Sequence, residues 1–154
     1  MKQGNRTSKR PLPPTYFLLS IVAMAALHFI FPAAKVIPFP WKLLGIFPFA
    51  AGLILDILAD RTFKDNKTTV KPFEESEALV TSGMYRISRH PMYLGFVLML
   101  IGIAVFMGSV TPYAVVIVFT VLMEVVFIRV EEKMVAEKFG EAWLEYKSRV
   151  RKWI

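Results

Sequence analysis

The residues best suited to chemistry in this sequence stand in two short polar stretches that border apolar runs. Residues 82–96 carry two arginines, two tyrosines and one of the chain's two histidines, namely Arg86, Arg89, Tyr85, Tyr93 and His90. The second stretch is an acidic pair, Glu131 and Glu132, which follows a later apolar run. Taken singly, Arg86 suits a topology anchor at a helix end, and Tyr85 and Tyr93 suit the aromatic belt of a membrane interface. Together, a cationic and aromatic stretch and an acidic pair at the same interface also suit a functional site. We therefore take the two stretches together as the candidate site.

Composition places the chain among membrane proteins. Its 154 residues suit one domain, and 55% of them are hydrophobic while only 20% are charged. The absence of cysteine excludes disulfides and cysteine-based zinc sites, and His28 and His90 lie too far apart for a histidine-rich metal site. The net charge of +7 comes from basic residues that flank apolar runs, which is typical of membrane topology and not of nucleic-acid binding.

Four apolar runs predict an all-α, polytopic membrane protein of a single domain covering residues 1–154. The predicted transmembrane helices are 16–34, 41–59, 91–107 and 112–129. The predicted segments are a cytoplasmic tail at 1–14, a first helical pair at 15–59, a cytoplasmic connector at 60–90, a helical hairpin at 91–129 and a cytoplasmic C-terminal segment at 130–154. No small-residue cleavage site follows the first run, so it reads as a retained span and not as a signal peptide.

The distribution of lysine and arginine predicts the orientation. Sixteen of the nineteen lie in the N-terminal tail, the connector or the C-terminal segment, and Arg129 ends the hairpin on the same side. Only Lys35 and Lys42 fall on the other side. The positive-inside rule then places both termini and the connector in the cytoplasm, with the protein in the cytoplasmic or inner membrane. The C-terminal segment has amphipathic spacing, which suits a helix on the membrane surface or a helix packed on the connector.

The hairpin is predicted to bring the two polar stretches together. Its arms are joined only by residues 108–111, and His90 and Glu131 lie at nearly equal distances from this turn. At 1.5 Å per residue the two arms rise and return by about the same height, so both tips reach one depth. Pro91 suits the first position of a helix, whose free amides attract anions. Gly95 leaves room for either a ligand or a neighbouring helix.

Three stretches of the sequence resemble a known family. The run LVTSGMYRISRHPMYLG at 79–95, the pair Glu131-Glu132 and the run FGEAWLEYKSRV at 139–150 are similar to the isoprenylcysteine carboxyl methyltransferases, and the phospholipid N-methyltransferases share the same plan. The similarity covers residues 63 to 154. It implies an integral membrane methyltransferase that uses S-adenosylmethionine, releases S-adenosylhomocysteine, and binds the cofactor in a cytoplasm-facing pocket.

The resemblance also implies roles for individual residues. The implied cofactor-binding residues are Leu79, Val80, Tyr85, His90, Pro91, Met92, Tyr93 and Glu131, with Glu132 as a neighbour and Glu77 and Ala78 as further contacts. Eukaryotic family members carry a substrate-binding arginine at the place of Phe127. Either Arg129 takes over from a shifted position and orients the acceptor, or the acceptor is not a prenylcysteine carboxylate and Arg129 is an anchor paired with a glutamate. The implied acceptor is a membrane lipid head group or a prenylated small molecule or peptide, with no nucleic acid and no metal.

Two other functions fit the same spans. A non-catalytic membrane scaffold or adaptor explains the apolar runs and basic flanks, although it leaves the matched polar tips unexplained. A reductase of sterols or related lipids has a similar C-terminal half, but the sequence shows no extended basic site for a 2′-phosphate.

Overall fold

The computed structural model describes residues 11–31, 33–66 and 78–154, and within them the chain is helical without strands. Its helices are α1 Pro13–Ile30, α2 Ile46–Asp65, α3 Pro91–Met107, α4 Thr111–Leu122, α5 Arg129–Phe139 and α6 Glu141–Arg149. Short 3₁₀ turns precede α2 at Trp41–Gly45 and lie before α3 at Gly83–Arg86, and a π-helical turn at Met123–Ile128 joins α4 to α5. The predicted all-α, polytopic membrane fold is confirmed.

Three continuous helical stretches of the described chain are long and apolar enough to cross a membrane: Pro13–Ile30, Trp41–Asp65 and Thr111–Phe139. Helix α3 is shorter, at 17 residues, which gives a length of about 25 Å at 1.5 Å per residue. It is the central helix, because α1, α2 and α4 all pack against it and more than half of its residues are buried. The site at its N-terminus therefore stands on the best-packed element of the fold.

The helices that contain two of the predicted spans continue beyond the apolar runs. Helix α2 extends beyond residue 59 to Asp65, so the start of the predicted connector is helical. The helix of the fourth predicted span continues past Arg129 through the charged residues to Phe139. Backbone hydrogen bonding carries a helix past the edge of its apolar residues, so the end of an apolar run need not be the end of the helix.

Glycines allow α2 and α3 to pack with their backbones almost in contact. A Cβ atom added to Gly95 would lie 2.8 Å from the carbonyl oxygen of Gly52, and one added to Gly102 would lie 2.6 Å from that of Gly45. Both distances are too short for real atoms, so only glycine fits at this interface. The open question about Gly95 is settled in favour of helix packing, the use that small residues commonly have in membranes.

We expect Gly52→Val to lower the stability of the protein by about 1–3 kcal/mol, the usual cost of overpacking a tight interface. The added side chain would meet the backbone oxygen of Gly95 and force the two helices apart. Thermal unfolding in detergent measures the effect. Ala51→Val is the matched control, because Ala51 is exposed on the same helix. Equal unfolding temperatures for the two variants would contradict the close packing.

The turn between α3 and α4 is as tight as predicted. Helix α3 ends at Gly108, whose φ of 74° lies in the left-handed region that favours glycine, and α4 begins three residues later. The hydroxyl of Ser109 is fully buried in this turn and lies 2.7 Å from Nδ1 of His28 on α1. The hairpin arms are therefore antiparallel, and His28 has a packing role at the end of the protein away from the polar tips.

Candidate functional site

A cavity of about 560 Å³ lies between the connector and five helices, with Phe63 contributed by the last turn of α2. Its walls come from the first turn of α1, residues 78–80 and the 3₁₀ turn of the connector, the N-terminal turns of α3, and helices α5 and α6. The volume falls within the roughly 300–1,000 Å³ of small-molecule sites. Most of the surface is apolar, and a few polar groups converge at the junction of α3 and α5.

The two tips of the hairpin meet at this junction. The hydroxyl of Tyr93, in the first turn of α3, donates a hydrogen bond of 2.6 Å to Oε1 of Glu131, in the first turn of α5. Tyr93 is buried, and the side chain of Glu131 is 23% exposed, on the cavity wall. The prediction that the two polar stretches return to one depth is confirmed.

His90 lies between the two carboxylates of the acidic pair. Its Nε2 is 3.3 Å from Oε1 of Glu132, and its Nδ1 is 3.7 Å from Oε2 of Glu131. The backbone amide of His90 donates to the hydroxyl of Ser88 at 3.1 Å, which fixes the chain just before α3 begins. The imidazole is therefore held at the cavity wall with a carboxylate facing each ring nitrogen.

Arg89 connects the connector to the C-terminal part of the chain. Its Nε and Nη2 donate to Oε1 of Glu132 at 3.0 and 2.8 Å, and its Nη1 donates to the carbonyl oxygen of Val150 at 2.7 Å and that of Lys147 at 3.3 Å. The guanidinium also lies 5.5 Å from the ring centre of Trp143. Only 9% of Arg89 is exposed, so these partners replace its water shell.

Helix α6 closes one side of the cavity by packing on the connector. The hydroxyl of Tyr146 donates to the carbonyl oxygen of Tyr85 at 2.7 Å, and Trp143 packs with Leu79. Burial raises the pKa of Tyr146 to about 12, and burial also raises the pKa of Tyr85, so both hydroxyls stay protonated near neutral pH. Of the two predicted positions for the C-terminal helix, packing on the connector is confirmed.

Backbone donors supplement these side chains at the start of α3. Pro91 takes the first helical position and has no N–H, and the first hydrogen bond of the helix runs from the amide of Leu94 to the oxygen of His90 at 3.1 Å. The amides of Met92 and Tyr93 therefore precede the helical ladder. The positive end of the helix dipole lies beside them, a combination that binds anions.

Most of the residues that the sequence assigned to the site do meet at the cavity. Eight of the ten line it: Leu79, Val80, Tyr85, His90, Met92, Tyr93, Glu131 and Glu132. Ala78 lines it as well, whereas Glu77 lies outside the described residues. Pro91 is buried behind the wall, where it starts α3.

Arg129 is the residue that the structure does not bring to the cavity. Its side chain is 67% exposed, and its Nε lies 3.7 Å from Oε1 of Glu124 and not beside either member of the acidic pair. Phe127, at the position of the family's substrate-binding arginine, is fully buried in the main core. Among the described residues, therefore, neither position 127 nor position 129 presents an arginine to the cavity.

Thirteen further lining residues were given no binding role by the sequence, although Phe139, Trp143 and Tyr146 lie in the run 139–150 that carries the family resemblance. They are Leu12, Pro13, Pro14, Phe63, Phe96, Met134, Val135, Glu137, Lys138, Phe139, Trp143 and Tyr146, together with Arg89, which the sequence named without a binding role. The spacing of Trp143 and Tyr146 on one face of an amphipathic helix was the one available sign that α6 covers a partner. Within the described ranges, no group of three acidic or histidine side chains stands close enough to hold a metal, and the expected absence of a metal stays a prediction.

Comparison with known proteins matches the chain to a family model, to a yeast protein and to a solved structure. A family model described as phospholipid methyltransferase matches residues 41–142. The protein-S-isoprenylcysteine O-methyltransferase of Saccharomyces cerevisiae is 42% identical over 84 residues, which are 53% of this chain and 34% of that protein. The solved structure of a eukaryotic intramembrane Ras methyltransferase, isoprenylcysteine carboxyl methyltransferase, aligns with a TM-score of 0.66 at 23% identity, over 99% of this chain and 54% of the other.

These matches support conclusions of different scope. The chain spans about a third of the yeast protein and about half of the solved structure. At 23% identity the structural likeness concerns the fold alone, whereas the family match includes all of α2 to α5 and the polar residues at the junction of α3 and α5.

Proposed function

We propose a function from the premise that this chain belongs to the phospholipid methyltransferase family, as its match over residues 41–142 establishes. The chain transfers a methyl group from S-adenosylmethionine to an amphiphilic acceptor held in the membrane. The observation that carries the proposal is the contact between Tyr93 and Glu131, because it joins the two polar hairpin tips at one wall of a cavity large enough for a nucleoside.

The residues around the cavity suit this cofactor. S-adenosylmethionine combines an adenosine, an amino-acid group and a sulfonium. The apolar walls formed by Leu79, Val80 and Phe96 suit a purine ring, and the carboxylate of Glu131 suits a ribose hydroxyl or an ammonium. His90 and the free amides at the start of α3 suit a carboxylate, and tyrosine faces attract a sulfonium by about 0.5–2 kcal/mol.

When bound, S-adenosylmethionine supplies an electrophilic methyl carbon, which takes a lone pair from the acceptor while the sulfur keeps the C–S electron pair to give S-adenosylhomocysteine. Such a transfer needs little acid–base work from the protein if the acceptor is already a carboxylate, a thiolate or a neutral amine. Tyr93 and Glu131 hold each other's side chains in one orientation, and Tyr85 and Phe96 help to exclude water. Positioning and desolvation then provide most of the catalysis.

The membrane places the acceptor. The chain is an integral membrane protein, and the lysine and arginine distribution supports an orientation with the cavity and both termini on the cytoplasmic side. The acceptor's apolar tail stays in the bilayer while its head group reaches the cavity, and a lipid head group and a prenylcysteine carboxylate both fit this description. The name of the yeast relative supports the prenylcysteine, and the missing arginine at position 127 supports the lipid.

The experiment that tests the proposal follows a labelled methyl group. Purified protein in detergent is incubated with S-adenosylmethionine labelled in its methyl group, and with either a lipid extract or a prenylcysteine analogue. We expect label in one organic-soluble product, which mass spectrometry identifies. If the folded protein labels no acceptor, the result would contradict the proposed methyltransferase activity and favour a membrane scaffold.

We expect Tyr93→Phe to weaken the apparent affinity for S-adenosylmethionine about tenfold, since a hydrogen bond to a charged group contributes about 1.5–3 kcal/mol. The substitution removes only the hydroxyl that donates to Glu131. The dependence of the labelling rate on cofactor concentration measures the effect. Tyr113→Phe, on α4 away from the cavity lining, is the matched control and should leave that dependence unchanged.

A further inference from the structure

Residues 150–154 return to the connector and lie behind the acidic wall of the cavity. The amide of Arg89 donates to the carbonyl oxygen of Arg151 at 3.0 Å, and the buried hydroxyl of Ser88 donates to that of Lys152 at 3.1 Å. Trp153 packs against the main hydrophobic core. These contacts fix the backbone of the segment, so the side chain of Lys152 has a defined starting point.

Lys152 connects two carboxylates of the long α4–α5 helix. Its Nζ lies 2.8 Å from Oε1 of Glu124 and 3.7 Å from Oε2 of Glu132. The other oxygen of Glu132, Oε1, accepts from Arg89 and lies 3.3 Å from Nε2 of His90. Glu132 is thus held between Lys152 on one side and two cationic or donor groups at the cavity on the other.

The partly buried carboxylate of Glu124 needs a cation beside it. It lies in the π-helical turn Met123–Ile128, a type of turn that is frequent at functional sites. Its Oε2 is shielded from solvent and makes no hydrogen bond within the described ranges, and its other cationic neighbour, Arg129, is 3.7 Å away and mostly exposed. Since a carboxylate without a partner is costly to bury, Lys152 both compensates Glu124 and faces Glu132.

We propose that Lys152 is a positioning residue for the methyl-donor site, an inference that rests on the proposed function. Its ammonium holds Oε2 of Glu132, so that Oε1 stays directed at Arg89 and His90 and the imidazole keeps its place at the cavity wall. Lys152 does not line the cavity itself, so it acts through Glu132. The C-terminal residues thereby become a part of the site that neither the motif at 79–95 nor the acidic pair indicates.

The test measures the affinity for S-adenosylhomocysteine by isothermal titration of the full-length chain in detergent. Lys152→Met should bind about tenfold more weakly than the wild type, and Lys152→Arg, which keeps the charge, should bind within about threefold of it. Lys133→Met is the matched control, because it removes the same charge from an exposed side chain next to Glu132, and it should bind like the wild type.

A double variant separates positioning from simple stabilisation. In Glu124→Gln/Lys152→Met the uncompensated carboxylate is gone, so the thermal unfolding temperature should return toward that of Glu124→Gln alone. The affinity should remain about tenfold below that of Glu124→Gln, because Glu132 still lacks its partner. Recovery of the affinity together with the unfolding temperature would overturn the positioning role.

The outcomes also distinguish this inference from the function on which it rests. If the wild type binds S-adenosylhomocysteine and Lys152→Met binds it with the same affinity, the role of Lys152 is overturned and the proposed function stands. No binding by folded wild-type protein overturns both, because Lys152 would then have no donor site to order.

Discussion

Replacement of Glu131 by glutamine is expected to lower the efficiency of methyl transfer, measured as kcat/KM for S-adenosylmethionine, about 100-fold. Glutamine keeps the shape of the side chain and an oxygen that accepts from Tyr93. It removes the negative charge that suits a ribose hydroxyl or an ammonium of the cofactor, and a hydrogen bond to a charged group contributes about 1.5–3 kcal/mol. The same charge lies 3.7 Å from Nδ1 of His90. The labelling rate at several cofactor concentrations gives the value.

The matched control for this variant is Glu141→Gln, at the exposed start of α6, which should retain wild-type efficiency. The thermal unfolding temperature of Glu131→Gln should stay close to that of the wild type, since the glutamate is partly exposed and its main partner keeps an acceptor. Wild-type efficiency in Glu131→Gln would show that methyl transfer does not depend on this carboxylate. Equal losses in both variants would show that the effect is not specific to the cavity.

Replacement of Arg89 by methionine is expected to destabilise the protein by about 3–5 kcal/mol, the usual cost of removing one partner from a buried ion pair. The variant leaves Glu132 without its closest cation and leaves the carbonyl oxygens of Val150 and Lys147 without their donor. The C-terminal segment then loses its link to the connector. Thermal unfolding in detergent and the rate of proteolysis after residue 140 measure the change.

Two further variants define the cause. Arg89→Lys should recover only part of the stability, because one ammonium cannot reproduce the fork that reaches Glu132 and two carbonyl oxygens. Arg86→Met removes the same charge three residues earlier, where the side chain is exposed, and should change stability by less than about 0.5 kcal/mol. If Arg89→Met unfolded like Arg86→Met, Arg89 would not be the link between the connector and α6.

The sequence predicted the hairpin because its cause is local, and the family resemblance supplied nine of the residues that line the cavity. A four-residue turn between two apolar runs of similar length forces His90 and Glu131 to one depth, and the resemblance of residues 79–95 to a methyltransferase family agrees with the family match. The role of Gly95 could be decided only from the structure, because a nearby ligand and a nearby helix backbone both require a residue without a side chain.

The partners of Arg89 and the place of Arg129 were not predictable from the pattern. Arg89 is fixed by carbonyl oxygens about sixty residues later, and every residue has such an oxygen whatever its side chain. Arg129 follows a π-helical turn, which adds a residue to the turn and rotates the helix face beyond it. Hydrophobic spacing assumes a regular α-helix, so it cannot show this rotation.

The central claim is that the two hairpin tips form one wall of a site for a charged nucleoside donor. Titration of S-adenosylhomocysteine into the folded wild-type protein in detergent, followed by isothermal calorimetry, tests that claim most directly. We expect saturable binding of one molecule per chain, and about 100-fold weaker binding by Glu131→Gln. Saturable binding with the same affinity in Glu131→Gln, or no heat of binding to folded wild-type protein, would contradict it.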